Sequence, residues 1–464
     1  MPTFKTPEAA IEAFLYLKNF HVNQKLLLQT PAQLETSKPA DIEGAKLIID
    51  NVLMEGRSIL TELYPMAVLA AFNIPTTRAS LARKANEVLI HAEYIGYPVA
   101  MKIYPKDISH KNDVDGVRLG LSNATAVQSA FSSIMEKVKA QQPESRIEGI
   151  IAEKMYIAKA GREVLVGMFT DPIFGPVISF GAGGTAVEIL RDRDASLPPL
   201  NHTLAKELIS RTKIAKILGP FRNFPAANVN AVEEILLRVS EMACEIPQIK
   251  ELDINPLIVD DTMATAVDAR IAVHHYSGMT RYDHMAIHPY PHHLVVREQL
   301  HTGTSVTIRS IRPEDAEMEK AFIATLSPQS KYLRFMPGMK ALSPDLLARF
   351  TQIDYDLEMA LVAIMNQDGT EIEARVGVVR YITSSDQTSC EFAIVVADAW
   401  QKQVIAFRLM KALGESARDK GLRSMEGSVL AENKTMLEFC KPQAFDAEPN
   451  LQDRNLVIVR KYLH

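Results

Sequence analysis

The 464-residue sequence lacks the marks of several protein classes. Its three cysteines, Cys244, Cys390 and Cys440, stand far apart and form no CxxC pattern. This excludes a disulfide framework and a cysteine zinc site, and it favours a reducing compartment. No apolar run approaches the roughly 20 residues that span a bilayer, and the first residues lack the profile of a signal peptide. We therefore expect a cytoplasmic protein without a membrane partner.

An excess of positive charge is also absent. The 51 Lys and Arg residues against 56 Asp and Glu residues give a formal net charge of −5. The sequence therefore offers no global electrostatic reason to bind nucleic acid. The apolar fraction of 47% and the charged fraction of 23% are typical of globular proteins, and the length predicts two or three domains.

Changes in pattern divide the chain into four segments. Residues 1–40 predict an amphipathic helix after a Thr-Pro start signal, followed by a polar linker. Residues 41–272 alternate helix and strand patterns, which predicts an α/β or α+β domain. Residues 273–300 are rich in His, Tyr and Pro without periodicity, as in an interdomain linker. Strand and helix patterns start again over residues 301–464.

Three polar clusters lie within residues 41–272. In "GYPVAMKIYPKDISHKND", Lys102 stands between apolar neighbours on a predicted strand, and His110 follows in the next turn. Such a lysine points away from the core and could meet a phosphate, although a solvated edge lysine fits the same pattern. In "ISFGAGGTAVE", successive glycines would let backbone amides converge on phosphate oxygens, although glycine turns are common.

The third cluster is "ELDINPLIVDDTMATAVDARI". It places Asn255 and Asp268 at the ends of two strands, where they could be neighbours in a hairpin. Amide and carboxylate oxygens suit a hard cation such as Mg²⁺. Turn capping would explain either residue alone.

In this order and spacing the clusters resemble the ATP-grasp domain of the NDP-forming acyl-CoA synthetases, relatives of succinyl-CoA synthetase. The resemblance covers residues 41–272. It implies that Asn255 and Asp268 hold Mg²⁺ and that His110, in a motif reading HKND where the family has HKSD, is a phosphate acceptor. The residues implied in binding ATP are Lys102, Glu153, Met155, Glu163, Gly181, Gly183 and Gly184.

Residues 1–40 resemble the tail of a preceding ligase domain in longer, fused members of the same family. Those members carry a CoA-binding domain and a phosphohistidine domain upstream. The resemblance therefore predicts that a separate chain supplies these domains, or that the sequence is a truncated or split product. A helical remnant followed by an ATP-grasp domain is the expected organisation.

The motifs "VTIRSIRPEDAEMEKAFIATLSPQSKYLRFM" and "CEFAIVVADAWQ" resemble the bacterial protein lysine acetyltransferases that fuse an ATP-grasp domain to a GNAT domain. The resemblance implies acetyl-CoA as cofactor, a protein lysine as substrate and Glu391 as the catalytic base. A strand-edge glutamate without a task fits the sequence of Glu391 equally well. The residues implied in binding acetyl-CoA are Val395, Gln401, Ala406 and Asn433.

The expected pyrophosphate loop departs from the family. Relatives read approximately WQGKGIG, and this chain reads WQKQVIA, with Lys402, Val404 and Ala406 in place of glycines. Because a β-branched valine resists positive φ, we expect weakened acyl-CoA binding. We also expect Pro442 to end the next helix early and Ala444 to replace its terminal glycine.

Three functions fit the sequence. The first is a protein lysine acetyltransferase that uses acetyl-CoA and also binds ATP with Mg²⁺. The second is the ATP-binding subunit of an NDP-forming acyl-CoA synthetase. The third is a non-catalytic remnant that binds nucleotide only. In each case the predicted fold is α/β (α+β), an ATP-grasp domain followed by a GNAT domain.

Overall fold

The computed structural model divides the chain into two compact units, Leu34–Ile287 and Met1–Gln33 with His288–His464. No helix in the described part of the chain is long and apolar enough to cross a membrane. The predicted boundaries after residues 40, 272 and 300 stay predictions. The structure describes residues 3–27, 38–61, 63–105, 116–141, 147–156, 160–184, 192–220, 224–278, 280–299, 305–335, 343–366, 373–401 and 404–463.

Helices and strands mix throughout the described residues, as predicted. The helices are α1 (Pro7–Leu27), α2 (Ile42–Met54), α3 (Leu63–Ala71), α4 (Ala85–Ile95), α5 (Ala124–Gln141), α6 (His202–Ser210), α7 (Ala215–Leu218), α8 (Val229–Glu245), α9 (Ala316–Thr325), α10 (Pro328–Phe335), α11 (Pro344–Thr351), α12 (Ile405–Asp419) and α13 (Lys434–Cys440). The strands of the first unit are β1 (Ile59–Leu60), β2 (Ala79–Ala82), β3 (Val99–Pro105), β4 (Val117–Leu121), β5 (Ile147–Lys154), β6 (Arg162–Asp171), β7 (Gly175–Ala182), β8 (Arg193–Ser196), β9 (Ile249–Val259), β10 (Ala264–Ala266) and β11 (Ala269–Val273). Those of the second are β12 (Val296–Gln299), β13 (Ser305–Ser310), β14 (Glu358–Asn366), β15 (Glu373–Thr383), β16 (Ser389–Val396), β17 (Ser424–Leu430), β18 (Asp446–Pro449) and β19 (Leu456–Tyr462).

The first unit contains a large sheet with strand order β1-β11-β9-β6-β7-β8, to which β10 adds beside β9. Helix α8 packs on this sheet and is apolar over most of its length. It begins where the Asn228 side chain accepts a hydrogen bond from the Ala231 N–H, at 3.1 Å, and it ends ahead of Pro247. Its fully buried residues, including Leu236, share one core with strand residues such as Val164. This core fixes the ends of β6, β7 and β9, where the candidate site lies.

A smaller sheet, with strand order β2-β5-β3-β4, has its own core with helices α4 and α5. Two backbone hydrogen bonds join the segment just before β2 to β10 of the large sheet. The Thr77 N–H donates to the Ala266 carbonyl at 3.1 Å, and the Ala266 N–H donates to the Pro75 carbonyl at 2.8 Å. The two sheets of the first unit are therefore held together at the strand ends.

The second unit has one eight-stranded sheet with order β12-β13-β14-β15-β16-β17-β19-β18. All of its neighbouring strands are antiparallel except β16 and β17. Residues 296–299, inside the segment predicted as a linker, form strand β12 and pair with β13. The linker therefore contributes a strand to the second sheet.

The last helix of the second unit ends early, as predicted. Helix α13 stops at Cys440, and a short 3₁₀ turn containing Pro442 follows. Ala444 then adopts φ 61° and ψ 40°, the left-handed conformation that glycine usually supplies at a helix end.

Candidate functional site

Lys102 forms an ion pair on the small sheet. Strand alternation buries Met101 and Ile103 in the core and turns Lys102 to the opposite face, as predicted. The Lys102 Nζ lies 2.7 Å from the Oε1 of Glu153 on the neighbouring strand, and both side chains are largely buried. Glu153 is predicted to hold adenine, but its carboxylate contacts this lysine. A phosphate that binds Lys102 would compete with Glu153.

Two hydrogen bonds fix Met155 and Tyr156, the residues that follow β5. The Met155 N–H donates to the Pro98 carbonyl at 3.1 Å. One residue further on, the Tyr156 hydroxyl donates to an Asp260 carboxylate oxygen at 2.5 Å. Burial and the Asp260 carboxylate raise the pKa of Tyr156 to about 12. This pair joins the predicted adenine hinge to the large sheet, and the sequence analysis missed it.

The glycine run at the end of β7 lies against backbone of neighbouring segments. A Cβ on Gly181 would stand 2.0 Å from the Asp192 carbonyl oxygen, and one on Gly183 would stand 2.4 Å from the Val164 carbonyl oxygen. Side chains at these positions would therefore force the backbone apart. Close packing gives a reason for these glycines that the sequence analysis did not foresee.

Gly184 connects the glycine run to the predicted metal residues. Its N–H donates to the Asn255 Oδ1 at 2.8 Å. Its φ is 73°, and a Cβ there would stand 1.8 Å from the Glu163 Oε2. The N–H of Gly183 donates to the Glu163 carbonyl at 3.0 Å. These two amides are thus used within the protein, whereas the sequence analysis expected them to face phosphate.

Asn255 and Asp268 are neighbours, as the hairpin interpretation predicted. The Asn255 N–H donates to the Asp268 carbonyl at 3.1 Å, and the Asp268 side chain is exposed. Oxygen donors of this kind fit Mg²⁺. No three His, Cys, Asp or Glu side chains among the described residues form a group that could hold a metal. A cation here would therefore need further oxygens from a ligand.

The carboxylate of Asp253 on β9 was not predicted from the sequence. Asp253 precedes Asn255 by two residues and so shares its face of the strand. Burial raises the pKa of Asp253, and the Arg193 guanidinium, 3.5 Å away, acts against this rise. The alternation in "ELDINP" is the signal that could have found it.

In the second unit, Glu391 lies where two strands separate. Residues Ser389–Glu391 of β16 pair with Ser424–Glu426 of β17, and this is the parallel pair of the sheet. Beyond Glu391, β16 continues to Val396 without a described partner on β17. The Phe392 ring fills part of the gap, and a Cβ on Gly427 would stand 2.7 Å from it. A splayed parallel pair of this kind leaves backbone groups free to bind a ligand.

Side chains fix the loop that precedes α12. Asp398 accepts hydrogen bonds from the Ser327 N–H and Oγ, both at 2.8 Å. The Gln401 Nε2 donates to the Val396 carbonyl at 3.2 Å. Val404 has φ −64° and ψ −15°, because it leads directly into α12. The expectation that the backbone at Val404 needs a positive φ is therefore wrong, and the expected weakening of acyl-CoA binding stays a prediction.

The other residues implied in binding acetyl-CoA have separate surroundings. Val395 is buried in a core with helix α9, and Ala406 lies half-buried in the first turn of α12. The Asn433 side chain caps helix α13 by accepting a hydrogen bond from the Met436 N–H at 3.1 Å. His110 and Lys402 lie outside the described residues.

A cleft of about 260 Å³ opens beside Glu391. Its apolar lining includes Phe350 and Phe392. The charged side chains that line it are Arg334, Arg349, Arg380, Glu358 and Glu391. The sequence analysis singled out only Glu391, because the three arginines come from different elements.

Comparison with known proteins places the first unit in a family. The family described as "ATP-grasp domain" matches residues 51–273. A Pyrococcus furiosus protein, the beta subunit of an ADP-forming acetate–CoA ligase, is 38% identical over 230 residues, which are 50% of this chain and 98% of that one. The chain belongs to the ATP-grasp family of these ligase subunits.

Two further relatives extend the comparison of this ATP-grasp protein. An ADP-forming acetate–CoA ligase of Archaeoglobus fulgidus is 34% identical over 274 residues, which are 59% of this chain and 39% of that enzyme. The chain thus spans less than half of the longer ligase. An acetyltransferase of Pseudomonas aeruginosa is 37% identical over 163 residues, which are 35% of this chain and 87% of that protein. The predicted fold class, ATP-grasp followed by a GNAT-like domain, is confirmed.

Proposed function

We propose that the chain is the ATP-binding subunit of an NDP-forming acyl-CoA synthetase and that its first unit binds ATP. The observation that carries the proposal lies at the end of β7, where the Gly184 N–H donates to the Asn255 Oδ1 and the Glu163 carboxylate stands where a Gly184 side chain would be. The similarity to the Pyrococcus furiosus beta subunit over nearly the whole of that protein supports the same function.

The proposed chemistry assigns a task to each part of this unit. Lys102 would exchange its contact with Glu153 for the phosphates of ATP, which a lysine binds as a point charge. Asn255 and Asp268 would hold Mg²⁺, which neutralises phosphate charge during phosphoryl transfer. His110 would accept the phosphoryl group. A separate chain with CoA-binding and phosphohistidine domains would complete the synthetase.

Calorimetric titration with ATP and Mg²⁺ tests the binding step. We expect Asp268→Asn to weaken Mg²⁺-dependent ATP binding at least tenfold. Asp261→Asn is the matched control, because Asp261 is an exposed aspartate in the turn of the same hairpin. Lack of ATP binding by the wild type, or equal binding by both variants, would overturn the proposed site.

The synthetase activity needs a second measurement. ADP formation that depends on acetate, CoA and an added chain with the missing domains would support it. ATP binding without such activity would favour the non-catalytic remnant instead.

A second function, N-acetyl transfer from acetyl-CoA, is favoured by the second unit. The splayed strands at Glu391 and the similarity to the Pseudomonas aeruginosa acetyltransferase support it. Its acceptor could be a protein lysine, as the sequence predicts. In this reaction the acceptor ammonium loses one proton to Glu391, the new C–N bond forms as the C–S bond breaks, and a second proton passes to the CoA sulfur.

Radiolabelled acetyl-CoA tests this second function. We expect Glu391→Gln to lower the transfer rate at least 100-fold, the usual contribution of a general base. Glu448→Gln serves as the control, since Glu448 is an exposed glutamate on β18. Absence of acetyl-CoA binding by the wild type would exclude acetyl transfer.

A further inference from the structure

The cleft beside Glu391 holds more positive than negative charge. Arg334 comes from helix α10, Arg349 from helix α11 and Arg380 from strand β15. The two carboxylates that face them are Glu358 and Glu391. The described lining is therefore cationic by one charge before any ligand binds.

Aromatic rings hold two of these guanidinium groups in place. The Arg334 guanidinium lies over the Phe335 ring, 5.0 Å from its centroid. The Arg380 guanidinium lies over the Phe350 ring, 4.5 Å from its centroid. The two rings stack on each other with centroids 6.4 Å apart and an interplanar angle of 20°. Cation–π contacts of this kind fix a guanidinium without neutralising its charge.

No carboxylate in the described part of the chain lies within ion-pair distance of these arginines, although Glu391 acts electrostatically on Arg334 and Glu358 on Arg380. None of Arg334, Arg349 and Arg380 forms a salt bridge there, and Arg380 makes one hydrogen bond, to the Phe350 carbonyl at 3.0 Å. Arg309 and Arg375 of the same unit are paired with carboxylates instead. Arg309, for example, lies 2.6 Å from an Asp315 carboxylate oxygen. The cleft arginines thus differ from Arg309 and Arg375, which carboxylates hold in place.

Burial makes the positive charges of Arg334 and Arg380 unfavourable. Burial and the nearby Arg380 lower the pKa of Arg334 to about 10, although Glu391 acts in the opposite direction. Burial likewise lowers the pKa of Arg380 to about 10. A bound anion would compensate for this loss of solvation. A carboxylate fits well, because guanidinium groups bind it through two parallel hydrogen bonds.

We propose that this cleft binds a carboxylate on the acetyl acceptor, so that the preferred acceptor is a small amine that carries a carboxylate. The inference rests on the second proposed function, acetyl transfer, and it replaces a lysine in a basic protein segment as the favoured acceptor. The volume of about 260 Å³ suits a molecule of amino-acid size. Arg334 and Arg380 are assigned to the carboxylate, and Glu391 is assigned to the amine.

Direct binding to the full chain tests the inference without requiring catalysis. The probes are 6-aminohexanoate and 6-aminohexanamide, which have the same length and amine and differ in the carboxylate. We expect the carboxylate probe to bind at least tenfold more tightly, and Arg334→Gln to remove this preference. Equal binding of the two probes would overturn the proposal.

Two further variants test whether the position of a positive charge in the cleft matters, as opposed to the total charge of the protein. Arg349→Gln changes an exposed arginine at the edge of the cleft, and Arg454→Gln changes an exposed arginine elsewhere in the unit. We expect only the first to reduce the preference for the carboxylate probe. Equal effects of both variants would contradict a specific cleft.

Acetyl-transfer assays show whether the acceptor is a free amine or a protein lysine. They also test the proposed acetyltransferase function separately from carboxylate binding. Faster acetylation of 6-aminohexanoate than of a basic lysine peptide would support the small acceptor, and the reverse order would overturn it. Tight carboxylate binding without any transfer would retain the anion site and exclude the acetyltransferase.

Discussion

The two units fix their candidate sites in opposite ways. In the ATP-grasp unit, polar groups are paired with one another: Lys102 with Glu153, the Gly184 amide with Asn255 and Tyr156 with Asp260. In the second unit, Arg334 and Arg380 beside Glu391 lie over aromatic rings and form no ion pairs among the described residues. The first site must exchange internal contacts for a ligand, whereas the second would gain contacts when an anion binds.

The backbone around the two candidate sites is also held in different ways. Gly181 and Gly183 of the ATP-grasp unit stand where a Cβ would collide with other backbone. In the second unit, Val404 and Ala444 stand where the resemblance leads us to expect glycine, and side-chain hydrogen bonds hold the loop before α12. The first site therefore depends on close packing, and the second depends on local side-chain contacts.

The largest expected effect comes from Gly183→Ala. The new Cβ would lie within 2.8 Å of the carbonyl oxygen, the carbonyl carbon and the nitrogen of Val164, none of which can move without shifting β6. We expect the free energy of unfolding of the ATP-grasp unit to fall by about 2–3 kcal/mol. Urea unfolding followed by far-ultraviolet circular dichroism would measure the loss.

Gly414→Ala is the matched control in the second unit. Gly414 lies inside helix α12, and nothing stands within 4 Å of the position of its Cβ. We expect a gain of about 1 kcal/mol. Trp400 is the single tryptophan and lies in the second unit, so its fluorescence follows that unit alone. A shift of the Trp400 transition by Gly183→Ala would contradict independent packing of the two sites.

Removal of the Tyr156 hydroxyl tests the internal pairing of the ATP-grasp unit. We expect Tyr156→Phe to lower the free energy of unfolding by about 1–2 kcal/mol at neutral pH, because it removes a hydrogen bond to a charged carboxylate. Tyr94→Phe is the control, since Tyr94 is 80% exposed on α4 of the same unit. Equal stability of both variants would show that the pair contributes nothing.

The same pair predicts a pH dependence. Burial and Asp260 raise the pKa of Tyr156 from 10.0 to about 12, so its contribution is complete below pH 10 and is lost as the pH rises towards 12. Burial alone would raise the pKa of Asp260, but hydrogen bonds from Tyr156 and Thr262 hold it well below its usual range. Its contribution is therefore present above about pH 4 and is lost as the pH falls further. We expect the difference between wild type and Tyr156→Phe to shrink above pH 10.

Local sequence patterns predicted the features that depend on neighbouring residues. Strand alternation placed Lys102 away from the core, the hairpin pattern brought Asn255 beside Asp268, and Pro442 ended its helix as expected. The contact between Tyr156 and Asp260 was not predictable in this way, because 104 residues separate them. The arginine cleft was missed for the same reason, since tertiary packing brings two helices and a strand together there.

The error at Val404 has a different cause. Glycines at this point of the family motif suggest a backbone that needs positive φ. Helix α12 begins one residue later, and Val404 already has right-handed helical angles. A β-branched residue tolerates those angles at little cost. Val404 therefore has no positive φ to resist, and the weaker acyl-CoA binding expected from the missing glycines stays a prediction.

The smallest expected effect concerns Ala444, which adopts the left-handed conformation after helix α13. Glycine avoids the contact between Cβ and the following carbonyl oxygen, but it also increases the entropy of the unfolded chain. We expect Ala444→Gly to raise the free energy of unfolding of the second unit by about 0.5–1 kcal/mol. Ala412→Gly in the interior of helix α12 should lower it by about 1 kcal/mol. Alanine-to-glycine substitution would thus change the free energy of unfolding in opposite directions at two positions of one unit. Unfolding followed by Trp400 fluorescence measures both changes. A loss of stability at both positions would mean that residue 444 is not strained.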